Sequence, residues 1–230
     1  MQAEIKKAID DSISQERPIK VSAFAVLPET EKVLSYITEN ILEKYEKQDM
    51  LGPTYTAAKE LALNGAKANI KRVLFQELEI DMEDDESYDE GMLIFKKNLT
   101  EEWAYSYAEK CYQQALRVDI VFDYNTDRLI IEVINNRPIS KREDLRIRQK
   151  FTKAMQYEDI AQFYMEGGDS SEGAGMGIVL VTMMLKAQGF DPHLFTIRSN
   201  YQSSTIAKVE FPIAENYLTS RERYEQKQAE

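Results

Sequence analysis

The hydrophobic positions of this chain change period several times, and each change marks an element. Ile19, Val21, Ala23, Ala25 and Leu27 alternate with their neighbours, a period of two that predicts a strand. From Pro28 the period lengthens to three and four, with Leu34, Ile37, Ile41 and Tyr45 on one side of a helix that Gly52-Pro53 breaks. A second helix is predicted from about Thr54 to Phe75, carrying Ala57, Leu61, Asn64, Ala68 and Val73 on neighbouring turns. Alternation returns in Val118–Tyr124 and Arg128–Ile134, and Asn125-Thr126-Asp127 between them completes a hairpin signature. An apolar helix is predicted from Ile178 to Ala187, with Gly189 as its cap. Two strands, His193–Arg198 and Thr205–Phe211, then run up to Pro212.

The segments between are polar. Residues 1–18 read as a short helix or arm closed by Arg17-Pro18, and a charged tail follows residue 212. Glu77 to Glu90 holds nine acidic residues and no basic one, a block expected to repel itself into a solvated loop. Leu99 to Ala115 is helix-like and rich in aromatics (Trp103, Tyr105, Tyr107, Tyr112), which are expected to pack as core or lid. Lys141 to Lys153 carries six Lys and Arg against Glu143 and Asp144, the composition of a solvated helix face or, second, of a segment that meets phosphate or an acidic partner. No repeat or linker divides the chain. The expectation is one domain over residues 1–230: a core of 19–75 and 117–212, an insertion at 76–116, an arm at 1–18 and a tail at 213–230. The element order predicts an α+β two-layer sandwich, with helices on one face of a mixed, mostly antiparallel sheet.

Composition narrows the function. With 230 residues, 43% hydrophobic and 30% charged, the chain can bury a sizeable core. No apolar run reaches the roughly 18–20 residues of a membrane span, and Met1–Lys7 is polar, so a cytoplasmic, non-membrane protein is expected. Cys111 is the single cysteine and His193 the single histidine, which excludes an internal disulfide and Cys/His metal sites. His193, beside Pro192 at a strand start, reads as structural or surface. The net charge of −11 and a pI near 4.8 repel phosphate backbones, so nucleic acid is not an expected partner. A small molecule or another protein remains.

Two segments carry candidate chemistry. Gly173-Ala174-Gly175-Met176-Gly177 runs straight into the apolar helix. Its glycines permit close backbone approach, and the unpaired N–H groups of the helix start favour an anion. The second helix carries Glu60, Asn64 and Lys67, four and three residues apart and therefore on one face. A carboxylate, an amide oxygen and an ammonium in a row suit a hydrated Mg²⁺ held against phosphates. The plainer readings are a flexible turn and an exposed Glu–Lys helix face. Against the latter, Asn64 is a poor interior helix residue and Gly65 costs about 1 kcal/mol relative to Ala, a local rule broken where function would break it.

In this order and on these elements, the chain resembles the Bergerat-fold (GHKL) ATPases, a superfamily of histidine-kinase ATP-binding domains, anti-sigma-factor serine kinases, and gyrase-type and Hsp90-type ATPases. Glu60-xxx-Asn64-xx-Lys67 resembles the family's N box, and Gly173-x-Gly175-x-Gly177 its second glycine box. Ser204-Thr205 and the alternating strand after it resemble the family's closing strand. The opening strand and two helices most resemble the anti-sigma serine kinases. The likeness covers roughly residues 19–75 and 117–212.

The resemblance implies that the chain binds ATP and Mg²⁺. Asn64 would hold the metal, Glu60 act as general base and Lys67 meet a phosphate. Gly173, Gly175, Met176 and Gly177 would wrap the triphosphate, with Thr205 near the nucleotide. The first glycine box should fall at Asn135-Asn136-Arg137-Pro138-Ile139, where both glycines are absent and Asn135 replaces the Asp that accepts the adenine amino hydrogen. An Asn carbonyl still accepts that bond, but without charge assistance. Ala68 stands where histidine kinases often carry His, and no phospho-acceptor His box exists. The implied function is a cytoplasmic Mg·ATP-dependent switch that binds a protein partner in signalling or transcription control and phosphorylates it on Ser/Thr. A homodimer through the first strand or the arm fits those relatives. The alternative is a catalytically silent interaction module with weakened nucleotide binding. A detached ATPase partner of a two-component system ranks third, because the dimerisation helices are missing.

Overall fold

Val118, Ile120, Phe122 and Tyr124 are buried while Asp119, Val121 and Asp123 are half-buried on the other side, the alternation of a strand covered on one face. In the computed structural model, which describes residues 1–81, 84–98, 100–158, 160–165 and 176–229, this strand is β2 (Val118–Tyr124). The others are β1 (Ile19–Ala23), β3 (Arg128–Asn135), β4 (Phe195–Ser199) and β5 (Thr205–Pro212). The sheet order is β1-β2-β3-β5-β4 and every neighbouring pair is antiparallel, so the sheet is not mixed. The cause is the short turn between β4 and β5, which folds β5 back so that β5 lies beside β3 and β4 takes the edge. The outer face mixes Val121, Ile130, Ile134 and Ile206 with paired polar groups: Ser22 donates to Asp119 at 2.6 Å, Arg128 to Asp123 at 3.0 Å and Lys208 to Glu210 at 2.5 Å.

The helices are α1 (Ala3–Ser14), α2 (Pro28–Lys44), α3 (Leu51–Glu77), α4 (Asp85–Lys97), α5 (Glu101–Gln113), α6 (Lys141–Gln156), α7 (Ile160–Met165), α8 (Met176–Ala187) and α9 (Ser220–Ala229). None of the described helices is long and apolar enough to cross a membrane. Leu34, Ile37 and Ile41 of α2 and Leu61 of α3 pack with Ile120, Phe122, Ile131 and Phe211 of the sheet. Each such side chain contributes roughly 1.5–3 kcal/mol on burial. The arm joins this core through Ile9 and Ile13 of α1.

Several boundaries differ from the sequence expectation. Gly52-Pro53 does not separate two helices but sits in the first turn of α3, where proline's missing N–H costs nothing. Its interruption is made instead by the single 3₁₀ turn Gln48–Met50. His193 lies not in a strand but in the 3₁₀ turn Pro192–Leu194, capped by Asp191, which accepts its N–H at 2.9 Å. The acidic block is not a solvated loop throughout: residues 78–81 form a mostly exposed turn, but Asp85 to Glu90 open α4. Asp84 caps α4 by accepting the N–H of Ser87 at 2.8 Å, and the acids that follow occupy a helix start, where the macrodipole favours negative charge. The insertion therefore builds a second core, in which Phe75, Tyr88, Phe95, Tyr107, Cys111 and Leu116 meet. Burial pushes the Cys111 thiol up to about 11, far from a reactive range.

Helix α6 is held at both ends. At its start, Ser140 accepts the N–H of Glu143 at 3.2 Å and Glu143 accepts the N–H of Ser140 at 2.8 Å, a reciprocal cap. The other oxygen of Glu143 pairs with Lys71 of α3, and both residues are 8% exposed. At its end, Lys186 of α8 donates to the carbonyls of Ala154 at 3.2 Å, Met155 at 3.0 Å and Tyr157 at 2.5 Å. Burial pushes the Glu143 carboxyl up; the Lys71 ammonium, the Ser140 N–H and the Arg72 charge outweigh it and hold the carboxyl below its usual value.

A Cβ at Gly65 would stand 2.7 Å from Cγ1 of the buried Val118, whereas one at Gly52 would meet nothing within 4 Å. Gly65→Ala is therefore expected to destabilise by about 1–3 kcal/mol, and Gly52→Ala to stabilise by up to about 1 kcal/mol, both read in urea unfolding. Lys71→Met strands a buried carboxylate and is expected to cost about 3–5 kcal/mol near neutral pH. Because the folded carboxyl of Glu143 is depressed, its contribution is present above the ordinary value of 4.5 and lost as pH falls through the lower, folded one. Without Lys71, burial is opposed only by the Ser140 N–H and the Arg72 charge, and the carboxyl is less depressed than in the parent. The gap between parent and Lys71→Met should accordingly shrink as pH falls below about 4.5; a gap constant from pH 7 to pH 4 would refute the pairing.

Candidate functional site

Strand register brings together residues far apart in sequence. On the helix-covered face, Val118, Asn135, Thr205 and Ser199 lie side by side across β2, β3, β5 and β4. The next row along is Ile120, Val133, Ala207 and Ile197. Asn135 and Thr205, each assigned to the nucleotide by the family resemblance, are thus direct cross-strand neighbours. Helix α3 crosses above them. Asn135 donates from Nδ2 to the carbonyl of Gly65 at 3.0 Å and accepts the N–H of Arg137 at Oδ1, also at 3.0 Å. Thr205 donates to the carbonyl of Arg137 at 3.0 Å.

Helix α8 begins against the same helix. A Cβ at Gly177 would fall 2.6 Å from Oε2 of Glu60 and 2.8 Å from Nδ2 of Asn64. A side chain at this position would have to displace the ends of Glu60 and Asn64, and glycine leaves them where they are. The end of the glycine-rich stretch and the Glu60–Asn64 face, more than 110 residues apart, therefore meet. Gly173 and Gly175 lie outside the described residues. Met176, the first residue of α8, packs with the cluster of Ala154, Tyr157, Phe163, Val179 and Met183.

Between these elements lies a cavity of about 790 Å³, within the range of small-molecule sites. Asn64, Lys67, Ala68 and Lys71 of α3 line one side, and Val133, Asn135, Thr205, Ala207 and Ile197 the floor. Ile178 of α8 lines it, whereas Glu60, one turn before Asn64, and Gly177 are not among its lining residues. The remaining walls are α4, through Tyr88, Met92 and Lys96, and α6, through Arg146, Ile147, Lys150 and Lys153. Tyr88 joins these two walls, with the guanidinium carbons of Arg142 and Arg146 4.2 and 4.8 Å from its ring centre.

The charge of this cavity opposes that of the chain. Six basic residues line it (Lys67, Lys71, Lys96, Arg146, Lys150 and Lys153) against Asp89 and Glu143, in a protein of net charge −11. Opposite sign concentrated in a concave, partly apolar space focuses the field on an anion. Arg72, one residue beyond Lys71, donates to the carbonyl of Pro138, and burial lowers its guanidinium from the usual value. Glu60, Asn64 and Lys67 make no hydrogen bond or ion pair with a described residue and are half-buried. Among the described residues no three His, Cys, Asp or Glu converge as a metal site, so a cation here would be held by few protein oxygens together with those of a ligand, as Mg²⁺ usually is.

The sequence reading missed α4 as a wall and took α6 first as a solvated face, with a phosphate contact as its second meaning; Arg146, Lys150 and Lys153 of α6 line the cavity. Lys71 was within reach, being four residues beyond Lys67 on the same helix face. Lys96 was not, because its position depends on the insertion folding back over α3.

No protein-family model matches the chain, and no solved structure matches it. It is similar to a protein of Treponema pallidum (strain Nichols) described as an "Uncharacterized protein", at 28% identity over 193 residues. The matched stretch is 84% of this chain and 37% of that protein, so the chain spans little more than a third of the relative's length.

Proposed function

We propose that this chain is a GHKL-type Mg·ATP-binding regulatory protein of the cytoplasm, an anti-sigma-like switch that binds a protein partner and phosphorylates it on Ser/Thr. The observation that carries this reading is the apposition of Gly177 to Glu60 and Asn64 beside a cavity lined by cations. The α+β sandwich with an antiparallel sheet is compatible with it.

The residues fit the groups they would hold. The side-chain oxygen of Asn64 would take a place in the Mg²⁺ shell and Lys67 would meet a phosphate oxygen. The start of α8 packs against Glu60 and Asn64, and the N–H groups and dipole of a helix start favour an anion. When bound, Mg·ATP supplies the transferable phosphoryl group and the metal charge that neutralises it. Glu60, without a protein partner among the described residues, would accept the proton of the attacking hydroxyl. The apolar floor and the α4 and α6 walls would keep water from the reacting end.

One observation favours a silent interaction module instead: both ends of the Asn135 amide already have partners within the protein. Calorimetric titration separates the two readings. Mg·ATP is expected to bind and raise the melting temperature of the parent, with about 2.7 kcal/mol of added stability at a hundredfold excess over Kd. Asn64→Ala should weaken binding at least about tenfold with Mg²⁺ present and lose most of that difference in EDTA. Gly177→Ala, which pushes against Glu60 and Asn64, should weaken it as well. Transfer of the γ-phosphate to a partner serine that Glu60→Gln abolishes would support the kinase. Neither heat nor thermal shift in the parent would overturn the nucleotide reading.

A further inference from the structure

The floor of the cavity is poor in groups that could read a base. Its polar members are Asn135, 6% exposed, and Thr205, 8% exposed. Asn135 is engaged at Gly65 and Arg137, and Thr205 at Arg137 with Ser199 at 3.2 Å. Their floor neighbours Val133, Ala207 and Ile197 are apolar. A site built to hydrogen-bond a substrate rejects one lacking the matching group by about 10⁴–10⁵, whereas an apolar pocket separates similar shapes by only about 10² or less. This floor is of the second kind.

The rim is different. Lys67 of α3 and Lys96 of α4 both line the cavity, both are half-buried, and neither makes a hydrogen bond or ion pair with a described residue. Half-buried ammonium groups without a carboxylate partner among the described residues, on a chain carrying eleven excess negative charges, are placed to attract anions. A charge-assisted contact is about twice as strong as a neutral one, so the anionic end of a ligand would dominate its affinity.

We infer that the cavity selects its ligand by the polyanionic end, gripped between Lys67 of α3 and Lys96 of α4, and discriminates little among nucleotide bases. This rests on the nucleotide reading above and extends it: the insertion becomes part of the binding site. Lys96 would be the residue through which α4 holds the phosphates.

Calorimetry on the full chain with Mg·ATP, Mg·GTP, Mg·UTP and magnesium tripolyphosphate tests it. The three nucleotides are expected within about tenfold of one another. Lys96→Gln should weaken all four ligands by a common factor of about ten and flatten the dependence on salt. Lys96→Arg should retain binding, and the exposed neighbour Lys97→Gln should match the parent. ATP binding a hundredfold tighter than GTP, or Lys96→Gln indistinguishable from the parent at an unchanged melting temperature, would overturn the inference. Tripolyphosphate binding that depends on Lys96, with no nucleotide bound, would sink the nucleotide reading and leave the grip standing. Failure of all four ligands would remove both.

Discussion

Everything about this cavity depends on how closely other backbone can approach α3. Two residues without side chains set that distance. At Gly65 the helix settles onto the sheet, where a Cβ would meet Val118 and Val133. At Gly177 the start of α8 settles onto the helix, where a Cβ would meet Glu60 and Asn64. The Asn135 amide fastens the first contact by donating to the Gly65 carbonyl. Packed interiors do not deform smoothly, so displacing α3 from the sheet would displace Asn64 and Lys67 from the floor they overlook.

The cost of Gly65 in a helix interior is modest beside the burial it permits. A 27-residue helix bears many good formers, and Leu61, Ala62 and Ala66 go into the core on the same side. Helix stability in a folded protein comes mainly from such packing rather than from propensity. The Glu60–Asn64–Lys67 face gains nothing comparable, since its polar groups find no protein partner among the described residues. That asymmetry, one face settled by packing and the other left with polar groups in a cavity, is what binding sites on rigid elements look like.

The elements were largely legible in the sequence, because periods of two and of three to four report burial directly. The antiparallel closure and the edge position of β4 were not, since they follow from which strands a short turn forces together. The candidate face of α3 was legible too: the four-residue spacing from Glu60 to Asn64 and a glycine in mid-helix are both local signals. What composition misled was the segment Glu77 to Glu90. Like charges in a row read as a solvated loop only when no helix start is near, and here Asp84 and the N–H of Ser87 make one. With α4 hidden, Tyr88 and Lys96 could not be assigned to a cavity that α3 and the sheet form only in part.

The two outer walls differ from the floor in how they are secured, and the difference bears on how a ligand enters. Helix α6 is tied to α3 by the buried Lys71–Glu143 pair and to α8 by the three carbonyls that Lys186 caps. Helix α4 meets α6 through Tyr88 and the Arg142 and Arg146 guanidinium groups, with Asp89 accepting from both at 3.5 and 3.4 Å. The first set is buried or multiply bonded, while the second involves an aspartate side chain 67% exposed, and exposed ion pairs contribute little. Local opening follows the weakest set of contacts. The seam between α4 and α6 is therefore the weaker of the two sets, and α4 is held chiefly by Tyr88 and Phe95, which are buried beside Phe75 of α3. A ligand that bridges Lys67 and Lys96 would tie α4 to α3 across the cavity, adding a contact that the α4–α6 seam itself does not supply.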